Sequence, residues 1–112
     1  MRRFALFLAL LGSPAMAQDW TPMTGDEIRA ALSDRSLYYP RTDARQTFHA
    51  SGRTLYSVGG NDSWGTWRVE GDAYCSQWPP SDLWACYELD TDGVSLRFIA
   101  PGPDITEATY AD

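Results

Sequence analysis

The segment Tyr74-Cys75-Ser76-Gln77-Trp78-Pro79-Pro80-Ser81-Asp82-Leu83-Trp84-Ala85-Cys86-Tyr87 reads nearly the same in both directions about its Pro-Pro centre. Matching its halves sets Cys75 opposite Cys86 and Tyr74 opposite Tyr87, a register that two antiparallel strands satisfy with a loop around Pro79-Pro80-Ser81-Asp82. Side chains alternate along a strand. Tyr74, Trp78, Ala85, Tyr87 and Leu89 therefore share one face, the expected core, and Cys75, Gln77, Trp84, Cys86 and Glu88 share the other. The two cysteines are the chain's only ones. In an oxidising compartment such a pair reads as a disulfide, and closing a loop of roughly a dozen residues stabilises by roughly 3 kcal/mol in the chain-entropy model. A metal site from the two thiols and His49 would lack a fourth ligand and a recognisable ligand spacing.

The start of the chain supplies that compartment. Met1-Arg2-Arg3 is cationic, Phe4 to Leu11 is apolar, and Ala15-Met16-Ala17 has the small-x-small form of a signal-peptidase site. Residues 1–17 are expected to be a secretory signal peptide and residues 18–112 one small β-rich domain, exported to the periplasm by general secretion. The apolar run is broken by Gly12, Ser13 and Pro14, short of the roughly 20 residues that a membrane span needs. No membrane anchor is expected. Beyond residue 17 the chain has seven arginines, no lysine and fifteen acids, a balance of −8. The arginines stand singly at 29, 35, 41, 45, 53, 68 and 97, without the basic stripe that a phosphate backbone requires. Nucleic acid is not expected as a partner.

Thr24-Gly25-Asp26-Glu27 matches a capping box and predicts a short helix to about Leu32, with Met23, Ile28, Ala31 and Leu32 near one face. Beyond Ser33, short aromatic and β-branched runs alternate with Gly, Pro, Asn and Asp, the signal of an antiparallel meander. Strands are expected near 36–39, 46–50, 54–58, 64–70, 73–78, 84–89, 94–99 and 106–110, with turns near Pro40-Asp43, Ser51-Gly52, Gly59-Asp62, Glu70-Asp72, Pro79-Asp82, Asp90-Gly93 and Pro101-Asp104. Val94-Ser95-Leu96-Arg97-Phe98 alternates apolar and polar residues. Tyr74, Tyr87, Trp67, Leu96 and Phe98 should be buried, and Arg68, Glu88 and Arg97 wet. The fold class is α+β and mainly β, a short N-terminal helix on a small antiparallel meander sheet or barrel with one disulfide.

Catalytic signatures are absent from the sequence. His49, the one histidine, should face outward beside an inward Phe48, and no Gly-x-Ser-x-Gly elbow accompanies it. Asp90-Thr91-Asp92-Gly93 is similar to the start of a calcium loop but lacks its later ligands. No catalytic residue, metal or cofactor is assigned. Aromatic density remains: Trp64, Trp67, Tyr74, Trp78, Trp84 and Tyr87 crowd around the disulfide. Trp67 and Val69 alternate with Arg68 and join the core, which leaves Trp64 and Trp84 as the expected exposed indoles. Together with Trp78 and the polar Gln77, Ser81 and Asp82, they form the candidate binding surface, because indoles are enriched in binding hot spots.

Gly65-Thr66-Trp67, then Tyr74-Cys75 six residues later, then Cys86-Tyr87, after the Thr-Gly-Asp-Glu-Ile helix start and the Ser51-Gly52-Arg53-Thr54-Leu55-Tyr56 strand, resembles a group of small uncharacterised periplasmic proteins of alphaproteobacteria. That resemblance covers nearly the whole mature chain and implies no activity. Ser51-Gly52 followed by Tyr56 is weakly similar to the motif that inhibitors of c-type lysozyme insert into the lysozyme cleft; Tyr56 is one residue late for it, and the segment lies early among the strands. The expectation is a soluble, non-enzymatic periplasmic binding or interaction module for a periplasmic protein or a small ligand. Lysozyme inhibition and a small hydrolase stand as alternatives.

Overall fold

The computed structural model describes residues 19–112; the expected signal peptide lies outside the described residues. The chain enters through a two-residue strand, β1 (Thr21–Pro22), and then forms helix α1 (Gly25–Leu32). The capping box is present in full. Thr24 Oγ1 accepts from the Glu27 amide at 3.3 Å, and Glu27 Oε1 accepts from the Thr24 amide at 2.8 Å, so two amides at the helix start are partnered. Gly25 is needed for another reason. A Cβ there would lie 2.1 Å from the Gly71 carbonyl oxygen, while its own amide donates to Asp72 Oδ1 at 2.7 Å. Those contacts seat the helix start on a strand turn. The helix ends where Ser33 N and Oγ both donate to the Arg29 carbonyl.

Eight strands follow as an antiparallel meander: β2 (Arg35–Tyr39), β3 (Ala44–Phe48), β4 (Arg53–Val58), β5 (Asn61–Glu70), β6 (Ala73–Gln77), β7 (Ala85–Thr91), β8 (Leu96–Ile99) and β9 (Ile105–Tyr110). Each pairs with the next, and β9 returns to β2 through Leu37↔Tyr110 and Tyr38↔Thr109, which closes the barrel. Closure removes the free edges that an open sheet would expose. The ten-residue β5 pairs with β4 through Asn61–Thr66 and with β6 through Thr66–Glu70. β7 outruns β6, and β1 continues that flank by pairing Thr21 with Thr91 and Pro22 with Asp90.

Alternation decides what fills the barrel. Helix α1 covers one end, inserting Ile28 and Leu32, both fully buried, next to Leu37, Phe48, Trp67, Leu89, Leu96 and Ala108. Phe48 meets Trp67 and Tyr74 edge-on at 5.8 and 5.7 Å between ring centres. On the outer wall Cys75 and Cys86 are bonded, with Cα atoms 4.0 Å apart, in the Tyr74↔Tyr87, Cys75↔Cys86 register read from the sequence.

Several expectations need correction. Val94 was expected on an inward face, but β8 starts at Leu96 and Val94 is 76% exposed, because Asp92 Oδ1 accepts from the Val94 and Ser95 amides and holds that stretch as a turn. Asp90 and Thr91, expected in that turn, belong to β7. Ala85 was expected in the core and is exposed, and Trp78 and Tyr87, also expected there, are only half-buried; all three lie at the barrel end that no helix covers. Arg97 was expected wet but is half-buried, bonded to Asp90 Oδ2 at 2.9 Å and stacked on Trp20 at 4.3 Å. Here β1 and its flank cover an outer face that alternation alone would leave in water. The second expected strand, near 46–50, ends at Phe48, since the His49 amide bonds the Arg53 carbonyl and closes the hairpin.

Candidate functional site: the open mouth of the barrel

The β2–β3, β4–β5, β6–β7 and β8–β9 connections ring the end opposite the helix. Inside that ring lies a cavity of about 620 Å³. Its walls are Tyr39, Tyr56, Tyr74, Tyr87, Phe98 and Trp78, with Arg41, Thr42, Ser63, Pro79 and Thr106 nearer solvent. Each wall residue follows from pairing. Gln46 faces Tyr56, Tyr56 faces Ser63, Tyr74 faces Tyr87, and Phe98 faces Thr106 in adjacent strands, so one set of inward positions becomes a ring of side chains.

The floor is a hydrogen-bonded network around the buried Gln46. Its Oε1 accepts from Tyr39 OH at 2.6 Å, and its Nε2 donates to Thr54 Oγ1 at 2.9 Å and to Tyr74 OH at 3.3 Å. Thr54 Oγ1 donates onward to the Thr47 carbonyl at 2.8 Å. Ser76 is a further partner of Tyr74 and accepts from Trp78 Nε1 at 3.1 Å. A buried polar network fixes its members when it is fully partnered. Burial pushes the Tyr74 phenol up to about 12, although its bonds with Ser76 and Gln46 pull the other way. The Tyr39 phenol is raised further, again chiefly by burial. Both are neutral donors and acceptors near neutral pH.

Trp78 bends over the mouth because β5 offers no side chain beneath it. A Cβ on Gly65 would lie 2.6 Å from Trp78 Cε3 and 2.8 Å from the Gln77 carbonyl oxygen. Trp78 also meets Tyr56 edge-on at 6.1 Å. At the rim Arg41 Nη2 donates to Thr106 Oγ1 at 3.2 Å. The lining carries no carboxylate, histidine or cysteine. Its chemistry is stacking and hydrogen bonding, with one cation at the edge.

The residues expected to form a binding surface are distributed differently. Trp78 belongs to the mouth. Trp64 also contributes to the cavity lining; it is 47% exposed, and its ring stacks on His49 at 5.9 Å and beneath Arg53 at 4.4 Å. Trp84 is half-buried under the Arg68 guanidinium at 3.8 Å, and Arg68 also pairs with Glu70. Gln77 Nε2 donates to the Asp82 carbonyl at 2.8 Å, and Ser81 Oγ accepts from the Leu83 amide at 3.1 Å; both polar groups brace the loop itself. Sequence reasoning missed Tyr39, Arg41, Gln46, Tyr56 and Ser76 as a set. Glu70, Cys75 and Cys86 cluster on the outer wall, but the disulfide removes both thiolates as metal ligands.

What the described residues define is a closed antiparallel barrel, covered by a helix at one end and open to a cavity at the other. No family model, curated protein or solved structure matches this chain.

Proposed function

We propose that this protein is a non-enzymatic periplasmic binding module whose barrel mouth takes up one small, largely apolar molecule. The observation that carries this reading is the cavity of about 620 Å³, walled by aromatic rings above the Gln46 network. Small-molecule sites commonly span about 300–1,000 Å³ with apolar walls and a few placed polar groups. An eight-stranded barrel is also about the size at which the interior is either filled by side chains or left able to hold one small ligand. Hydrogen bonds fix Tyr39, Tyr74 and Trp78 before any ligand arrives, so little ordering entropy is lost on binding. The expected export signal and the disulfide support a periplasmic location.

Two other readings have less support. Lysozyme inhibition would use Ser51 and Gly52 with Tyr56, but those two residues lie in the turn at the helix end while Tyr56 lines the opposite mouth. A hydrolase would need an acid, base or nucleophile in the cavity, and the lining offers none beyond hydroxyls.

The uncharged dye N-phenyl-1-naphthylamine tests uptake. Its fluorescence should rise on binding with one dye per chain. Ser63→Trp, which fills the rim from an exposed position, should abolish that rise while leaving the far-ultraviolet circular dichroism unchanged. No saturable uptake, or uptake indifferent to Ser63→Trp, would remove the mouth as the site.

A further inference from the structure

Resting on the mouth as a binding site, we infer that its ligand is a monoanion, an apolar body that enters the barrel with one carboxylate-like group held at the rim by Arg41. The charge environment of Arg41 carries the inference. Arg29, Arg35, Arg68 and Arg97 are each paired with an acid, and Arg45 and Arg53 lie over Tyr38 and Trp64. Arg41 has a hydroxyl, Thr106 Oγ1, as its hydrogen-bond partner. In a mature chain with fifteen acids against seven arginines, a cation at a cavity rim with no carboxylate in the lining is a local reversal of the overall charge.

The guanidinium fork matches a carboxylate in a way that an ammonium does not, and Thr42, Ser63 and Thr106 add hydroxyls beside it. Deeper in, the Gln46 amide already bonds Tyr39, Thr54 and Tyr74. A buried charge there would need partners that the network has already engaged. The anionic group therefore belongs at the wet rim and the apolar body against Tyr56, Tyr87 and Phe98. A cationic ligand could stack on the same rings, but it would sit beside Arg41 with no carboxylate in the lining to offset the repulsion.

Two dyes of one shape separate these possibilities. 8-Anilino-1-naphthalenesulfonate is N-phenyl-1-naphthylamine with a sulfonate added. At low ionic strength the anionic dye should bind about tenfold tighter, the lower end for a charge-assisted hydrogen bond because the rim is wet, and the gap should narrow with salt. Arg41→Gln should weaken the anionic dye about tenfold and change the neutral dye less than about twofold. Arg45→Gln makes the same change in net charge and should change neither. If the neutral dye binds equally well, or Arg41→Gln and Arg45→Gln act alike on the anionic dye, the anion assignment is wrong and the mouth remains a binding site. If neither dye binds, both readings fall.

Discussion

Gln46 is the residue on which the site turns, and it is the one that alternation disguises. It lies between Ala44 and Phe48 on an inward face and is 5% exposed; in the sequence it is one polar residue in a short strand. Its partners come from β2, β4 and β6, so the network exists only after three separate pairings. The same burial gives a pH signature. The folded state favours neutral Tyr39 and Tyr74, whose values are raised above the ordinary one, Tyr74 to about 12. Their contribution to stability is complete below the unfolded value of about 10 and is lost as pH rises through the folded values. The melting temperature should therefore fall between about pH 10 and 12, with Tyr39 and Tyr74 still resisting phenolate formation above the ordinary value in an ultraviolet titration. Tyr74→Phe should flatten part of that fall. Tyr39 and Tyr74 titrating near the ordinary value in the folded protein would contradict the buried network.

Among the elements, the β6–β7 hairpin was legible because its chemistry is local. The mirrored cysteines and tyrosines specify one register, and a slip of one residue would exchange the faces of both strands. Helix α1 was equally legible, since Thr24 and Glu27 form its cap within four residues. β1 was not: two residues carry no periodicity, and Thr21–Pro22 is a strand because it finds β7 beyond the end of β6. That addition also buries Asp90, expected in a turn, and half-buries Arg97, which local alternation had put in water. The hairpin clasp gives a direct measurement. The oxidised protein should show no titratable thiol when denatured without reductant. The double variant Cys75→Ala, Cys86→Ala should lose roughly 3 kcal/mol in the chain-entropy model, a drop in melting temperature of about 10–20 °C for a domain of this size. Two free thiols in the isolated protein, or a double variant as stable as the wild type, would show that the clasp contributes nothing.

At the scale of the whole molecule the barrel is asymmetric, and the sequence contains that asymmetry without displaying it. Trp67, Leu96, Tyr74, Trp78, Tyr87 and Phe98 look like one core in a list of inward positions, though Trp67 and Leu96 pack with the helix and the other four wall the mouth. Barrel closure divides them, because one end receives Ile28 and Leu32 from the helix while the other receives only the rim of Trp78 and Pro79. The helix-plugged core and the open mouth are thus two ends of one row of inward side chains. Their energetics should differ accordingly. Leu32→Ala removes a fully buried side chain and should cost about 2–5 kcal/mol, a large share of the roughly 5–15 kcal/mol available to a small domain. Trp78→Ala removes a larger but half-buried side chain whose neighbours already face a water-accessible cavity. Its loss should lower the melting temperature less than half as much, yet weaken uptake of the neutral dye severalfold. Should Trp78→Ala destabilise the protein as much as Leu32→Ala, the open end would have to be counted as structural core and the indole as packing; should it spare stability but leave dye uptake unchanged, the ligand would have to enter without touching the ring that overhangs the mouth.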